Sequence, residues 1–438
     1  MKSLQELVHS NLQGQREGIY SLCSANRFVL EAGVIQAELD GTQACIESTS
    51  NQVNQFGGYM GMTPADFAAF VRGMASDMGF PGGQVILGGD HLGPHVWRDQ
   101  PADIAMGKAA QLVGDCVRSG YVKLHLDASM RCAGDPGGTG VALTQEVVAA
   151  RTADLCRAAE AAWRSLPPGR PAPLYVIGTE VPVPGGEENA GVSGVSVTRA
   201  HDLEHWVSLA REAFLARGLE PAWERVIAVV VQPGVDFGDD WILEYDPEKA
   251  RELRDCVERG RGFVLEAHST DYQPAAALAQ LVEDHFAILK VGPWLTFAFR
   301  EAVFSLAAME EEWLAARRGA ECSHVREALE RVMLEHPDHW KDYYRGDDAA
   351  RRFARKYSYS DRSRYYWARP EVQQALKTLL SNLTRHPVPL ALLSQYMPAQ
   401  CLKVREHRIF NVPADLIHDK IQEVLGIYAA ACGAPAPS

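Results

Sequence analysis

Eight short apolar runs, each leading into polar or Gly-rich residues, recur over the first two thirds of the chain and restrict its fold more than any other feature. They are Ile19-Tyr20-Ser21-Leu22, Ala44-Cys45-Ile46-Glu47, Val85-Ile86-Leu87 and Val122-Lys123-Leu124-His125-Leu126. Leu174-Tyr175-Val176-Ile177, Val226-Ile227-Ala228-Val229-Val230-Val231, Phe263-Val264-Leu265 and Phe286-Ala287-Ile288-Leu289 complete the set. Near-continuous apolar strands are what a parallel sheet requires, because helices cover its faces. Helical patterns fall between the runs. Thr63-Pro64 opens one, with an N-cap and a proline at the first position, and Phe67, Phe70, Val71, Met74 and Met78 form its apolar stripe. His201 to Arg217 is a second, with Trp206, Leu209, Ala213 and Phe214 inward and Gly218 past its end; Pro274 to Val282 is a third. This alternation predicts an α/β chain built as a (β/α)8 TIM barrel. A doubly wound open sheet is the alternative, but no GxGxxG follows the first strand.

Beyond Phe304 the strand pattern stops and helical stretches such as Ala307 to Leu314 take over. The expected division is a barrel over 1–305 and a helical extension over 306–438 packed upon it. The extension carries an aromatic and basic segment, Lys356 to Trp367.

Composition removes several function classes. The 56 acidic residues outweigh 43 basic ones, for a net charge of −13. Such a surface argues against nucleic acid or an anionic membrane as partner, though a local basic pocket for an anionic substrate is invisible to net charge. Nine cysteines, an odd number without a CxxC pair, read as reduced core thiols rather than a disulfide framework or zinc knuckle. The first residues lack a long apolar stretch and no run reaches spanning length, so a soluble cytoplasmic protein is expected.

In a barrel, strand C-termini share one mouth. That rule assembles Glu47 after strand two, Asp90 and His91 after strand three, Asp127 after strand four, Glu180 after strand five, Gln232 after strand six, and His268 and Asp271 after strand seven. A single histidine is more often a hydrogen-bonded structural residue than a ligand. Two at the strand ends of one barrel, among carboxylates and an amide, make a donor set for Zn²⁺ or Mn²⁺: His91, His268, Gln232 and Asp127. Asp90, beside His91, is then placed as a base. His95, His125 and His285 read as structural, lying past the rim, mid-strand and before a strand. Glu47 serves either rim chemistry, as a substrate contact, or loop hydrogen bonding. From Glu180 the chain enters Gly185-Gly186-Glu187-Glu188. Its glycines permit a mobile loop whose acids deliver a proton on closure; an ordinary acidic surface loop is the simpler reading of that tetrapeptide alone.

Longer blocks carry a resemblance. Phe56-Gly57-Gly58-Tyr59, Gly88-Gly89-Asp90-His91-Leu92-Gly93-Pro94 and Gly178-Thr179-Glu180-Val181-Pro182 resemble blocks of the non-catalytic (Z-type) subunit family of class II tagatose-bisphosphate aldolase, which includes related ketose 4-epimerases. So do Glu266-Ala267-His268-Ser269-Thr270-Asp271-Tyr272-Gln273, Leu289-Lys290-Val291-Gly292-Pro293 and Tyr357-Ser358-Tyr359-Ser360-Asp361-Arg362. That family is similar to the zinc-dependent class II aldolases. The resemblance implies Asp90 as base, His91 and His268 as metal ligands, and Glu180 with Glu187 or Glu188 in proton transfer. Two departures stand out. Where the aldolases place a zinc-binding histidine after strand six, this chain has Gln232. Where they place a Gly-Gly-Ser phosphate loop after strand seven, it has Ser269-Thr270-Asp271, and Asp271 would repel a phosphate.

Two functions follow from the resemblance. One is a metal-dependent enzyme that inverts C4 of a ketohexose, of the tagatose/fructose type, by retro-aldol and aldol steps. The other is an accessory subunit stabilising a catalytic class II aldolase. A sugar-phosphate kinase is a weak third reading, since no GxxxxGK[ST] loop occurs. The ligand is a ketose or ketose phosphate in either of the first two, with Asp271, Ser358 and Arg362 as further substrate contacts; Ser360 and Arg364 share that segment, for which a plain surface turn is an equal reading. A homo-oligomer is expected.

Overall fold

The computed structural model describes residues 2–136, 142–178, 195–260, 262–315, 317 and 321–434. Among these, eight parallel strands close into a barrel: β1 Ile19–Leu22, β2 Ala44–Thr49, β3 Val85–Leu92, β4 Lys123–Leu126, β5 Leu174–Gly178, β6 Val226–Val231, β7 Val264–Ala267 and β8 Ile288–Val291. Each pairs with its neighbours in chain order, and β1 pairs with both β2 and β8 to close the ring. All eight apolar runs became barrel strands, so the TIM-barrel expectation holds over the open sheet. Outside the barrel, Asp236–Phe237 and Ile242–Leu243 form a short antiparallel ribbon beyond β6.

Local signals explain the helices. Thr63 caps Pro64–Asp77 with a reciprocal box: its hydroxyl accepts from the Asp66 N–H, and the Asp66 carboxylate accepts from the Thr63 N–H at 2.9 Å. The N-terminal helix Leu4–Leu12 closes the bottom of the barrel, where Leu4 and Val8 pack with strand-start residues including Ile19, Ile86 and Ile227. The nine cysteines are unpaired. No described helix is long and apolar enough to cross a membrane.

The chain returns to the barrel at its end. Helix Pro293–Leu314 follows β8 and is buried on nearly every side, as its apolar sequence demands. Helix Pro413–Ala431 packs against it, against Arg27–Asp40 and Ala275–Glu283, and against β1. It thereby sits in the outer ring between the helices that follow β1 and β7. His418 binds Glu31 at 2.9 Å, and the Tyr428 hydroxyl donates to the Thr270 carbonyl at 2.7 Å. Leu425 is fully buried there. Leu425→Ala is therefore expected to cost about 2–5 kcal/mol in urea unfolding, whereas Leu402→Ala, on an exposed helix face, should cost under about 0.5 kcal/mol. Equally small losses would mean that the terminal helix is no part of the barrel wall.

Candidate active site

The upper barrel is filled with charge instead of the branched apolar layers usual in this fold. The pattern begins in β4. Side chains two apart on a strand share a face, so Lys123 and His125, with Asp127 just beyond the strand, point inward while Leu124 and Leu126 face the helices. Glu266 and His268 repeat the spacing at β7. Lys123, with no solvent exposure, lies 2.6 Å from Glu47 of β2 and 2.6 Å from Glu266. Lys290 of β8 pairs with Glu47, with Asp90 at 2.9 Å and with Glu266 at 3.6 Å.

Above this floor β3 bulges. Its register against β4 shifts between Gly89 and Leu92, and His91 takes a left-handed φ of 49°. A bulge re-aims side chains, and this one turns Asp90 and His91 into the barrel. Gly93 lets β3 and β4 converge here: a Cβ on it would fall 1.6 Å from the Asp127 carbonyl oxygen.

Three histidines then form a triangle. The rings of His91, His125 and His268 have centroids 5.1, 5.0 and 5.2 Å apart. Each gives one ring nitrogen to a carboxylate: His91 Nδ1 to Asp127 at 2.9 Å, His125 Nδ1 to Asp90 at 3.0 Å, and His268 Nε2 to Glu266 at 2.9 Å. His125 Nε2 is buried without any partner among the described residues, while His91 Nε2 lies 3.8 Å from Asp90 and His125 Nδ1 also accepts from the His91 N–H at 3.3 Å. A carboxylate behind each imidazole is the usual arrangement around a bound metal, where it sets tautomer and ring orientation. The ligand atoms that lie within 4.8 Å of one another are those of Asp90, His125, Glu266 and His268, and His91 is not among them.

Electrostatics point the same way. Glu47, Asp90, Asp127 and Glu266 are buried, with Lys123 and Lys290 among the cations that offset them. Asp90 and Asp127 overcome burial and raise the His91 imidazole, which adds a cation, and the carboxylates still outnumber the cations in a low-dielectric interior, a costly state unless a further cation supplies the difference. Burial works to raise the Asp90 carboxyl, but His91 and Lys290 outweigh it and hold the group well below the usual range. Glu266 is likewise held down, its burial overcome by Lys123 and Lys290. Burial takes His268 to about 4 despite its bond to Glu266, which favours the neutral ring. Asp90, His125, Glu266 and His268 bring their ligand atoms within 4.8 Å of one another, so this donor set could hold a divalent ion, with His91 beside it.

The structure brings Asp90, His91 and His268 together, and sorts the other candidates differently. Asp127 stands behind His91, holding its ring, and accepts from Ser129 with its other oxygen. Glu47 is sealed in the floor, neither at the rim nor in a loop hydrogen bond. Gln232 is not with the histidines: its Oε1 accepts from the Gly234 and Val235 N–H groups at 2.8 and 3.1 Å and folds its own loop. His125, set aside as mid-strand, completes the triangle instead, and the inward alternation of Lys123, His125 and Asp127 was its signal. Ser358 binds Asp239 at 2.8 Å and Arg362 donates to the His339 carbonyl at 3.1 Å; both are buried, and neither lines the cleft. From that segment Arg364 and Tyr365 do, opposite Asp271 and Tyr59 on the barrel side. Asp271 accepts from the Gly292 and Trp294 N–H groups at 3.0 and 2.8 Å. Glu180, Glu187 and Glu188 lie outside the described residues.

A protein from Sinorhizobium meliloti 1021, described as a probable tagatose 6 phosphate kinase, is 41% identical and superposes with a TM-score of 0.85, over 95% of this chain and 100% of that one. The fructose-bisphosphate aldolase of Campylobacter jejuni is 13% identical, with a TM-score of 0.46 over 87% of this chain and 91% of its own. The YdjI aldolase of Escherichia coli K12 is 11% identical, with a TM-score of 0.42 over 85% and 96%. Residues 4–433 match the family model for the D-tagatose-1,6-bisphosphate aldolase subunit, GatZ/KbaZ-like, and the chain belongs to that family.

Proposed function

We propose that this protein is a divalent-metal-dependent ketose 4-epimerase that works by cleaving and re-forming the C3–C4 bond. The observation that carries the reading is the histidine triangle, with a carboxylate behind every ring and Asp90 in the same cleft. A Zn²⁺ or Mn²⁺ ion held at His125 and His268, with His91 beside them, would supply Lewis-acid polarisation of the ketose carbonyl. Asp90, ionised and fixed by Lys290 and His125, receives the C4 hydroxyl proton. The C3–C4 electron pair passes to C3, giving an enediolate and an aldehyde. The aldehyde turns over and is attacked on its other face, which inverts C4. Simple deprotonation at C4 is unsupported, because C4 is not adjacent to the C2 carbonyl.

The loop after β7 bears on the substrate. TIM barrels bind phosphate where the loops after strands seven and eight meet a helix N-terminus. Here Asp271 already occupies the first N–H groups of helix Pro293–Leu314. A C1 phosphate is thus disfavoured, and the reading is a free ketose or one phosphorylated at its far end. The kinase activity in the name of the S. meliloti protein is not carried over, since this chain has no GxxxxGK[ST] loop.

The family description favours a second reading, a subunit that stabilises a catalytic class II aldolase. Exposed Leu390, Tyr396, Leu402 and Phe410, all within 390–410, support it as apolar surface. Asp90→Asn protein that extends the half-life of such an aldolase as well as the wild type would favour this role.

Purified protein with Mn²⁺ or Zn²⁺ is expected to convert D-tagatose, or its 6-phosphate, into the C4 epimer by NMR. Asp90→Asn should slow this by about 10²–10⁴-fold. Absence of conversion across a ketose panel with metal-loaded protein would defeat the epimerase reading. Metal content separates the strand-four ligand from the strand-six candidate. His125→Ala should purify with little metal, and Gln232→Ala with the wild-type complement; the reverse result would move the site to β6.

A further inference from the structure

Asp271 does more than fill a helix end. It lies between two residues in left-handed conformations, Ser269 at φ 53° and Tyr272 at φ 64°, which L side chains rarely adopt unless the surroundings enforce them. The enforcement is visible. The Thr270 hydroxyl donates to the Lys290 carbonyl at 2.7 Å, Tyr428 donates to the Thr270 carbonyl, and the Tyr272 hydroxyl donates to the Tyr359 carbonyl at 2.7 Å. Oδ1 takes both backbone N–H groups, while Oδ2 takes no hydrogen bond from another residue among those described. The carboxyl lines the same cleft as Asp90, His91 and His268. Burial pushes it up to about 6, against the N–H bonds and the Arg364 charge that favour ionisation.

C4 inversion by cleavage and re-addition has a stereochemical demand. When the aldehyde turns over, its oxygen swings away from the group that took its proton. A second group on the other face must protonate it. We infer, resting on the epimerase reading, that Asp271 is that second acid–base residue, serving the C4 oxygen on the face Asp90 does not reach.

The step balances as follows. Asp90 starts ionised and Asp271 protonated. Asp90 takes the C4 hydroxyl proton, the O–H pair forms the carbonyl, and the C3–C4 pair moves to C3. After rotation, C3 re-forms the bond to C4 and the carbonyl pair returns to oxygen, which takes the Asp271 proton. Turnover leaves Asp90 protonated and Asp271 ionised. One proton exchanged through solvent resets them, and the reverse reaction uses them in the opposite order.

Asp271→Asn keeps an oxygen to accept both backbone N–H groups, so the helix end stays capped. The test follows D-tagatose and D-fructose, or their 6-phosphates, with wild-type, Asp271→Asn and Asp90→Asn proteins. Epimerisation and release of three-carbon fragments are both measured by NMR. Epimerisation by Asp271→Asn should fall at least about 100-fold, with metal content and Tm unchanged. That variant should still release fragments from one epimer only, and Asp90→Asn from the other only. Epimerisation within a few fold of wild type would overturn the assignment, as would loss of cleavage from both epimers together, the mark of a residue that merely shapes the site. If the Asn protein misfolds, Asp271→Ser also offers an acceptor to the N–H groups and is read the same way. A wild-type protein that neither epimerises nor cleaves any ketose takes down the epimerase reading and this one with it; an active wild type with an unaffected variant removes only this one.

Discussion

Charge balance inside the barrel is the constraint on which the site depends. Lys123 has no access to water and reaches two carboxylates on strands that lie apart in the ring, Glu47 of β2 and Glu266 of β7. Lys290 joins the same two carboxylates to Asp90. Buried ion pairs of this kind add little net stability, because desolvation offsets the attraction, yet removing one partner strands a charge. What the network enforces is position. Glu266 is held by both lysines, so it holds His268; Asp90 is held by Lys290, so it holds His125. The imidazoles are oriented by groups that cannot swing away. The excess of buried carboxylates makes the cluster of Asp90, His125, Glu266 and His268 a place where a cation relieves a cost.

Backbone geometry supplies the rest. The β3 bulge puts His91 in a left-handed conformation and brings it within 2.9 Å of Asp127. The glycine at 93 allows that approach. On the far side of the mouth, the helical extension grips the loop after β7. Tyr272 packs among Phe237, Trp294, Phe297 and Tyr359, and its hydroxyl is tied to the Tyr359 backbone. The extension is therefore part of the cleft's construction as well as its cover, and Arg364 and Tyr365 come from it directly.

The barrel was legible because its signal is local. Apolar runs separated by capped helical stretches are read within a dozen residues, and Thr63, Pro64 and Asp66 behave as capping chemistry requires. Asp90, His91 and His268 were legible because strand ends converge in this fold. The strand-end rule also misled. Gln232 sits at a strand end, but its amide bonds the backbone of its own loop. His125 lies one residue inside β4, where the alternation of faces, not the end of the strand, decides what enters the barrel. Glu47 was ambiguous for a different reason: its partners, Lys123 and Lys290, are remote in sequence, and a buried pairing of that range leaves no local mark. Ser358, Arg362 and Arg364 show the same limit within one turn. The segment is recognisable, but only the packing of Arg362 near Tyr343 and His339 leaves Arg364 as the arginine at the mouth.

The two carboxylates of the cleft differ in what surrounds them. Asp90 touches an ammonium and an imidazole inside the charged network, and those cations overcome its burial. Asp271 is buried as deeply but, among the described residues, meets two backbone N–H groups and a more distant guanidinium, so burial prevails and pushes its carboxyl up to about 6. Paired groups whose environments drive their proton affinities apart mark an acid and a base. Asp271 sits at the helix terminus where TIM barrels commonly hold a phosphate. An anion belonging to the protein replaces one belonging to the substrate, keeping the helix terminus satisfied while leaving an oxygen free to carry a proton.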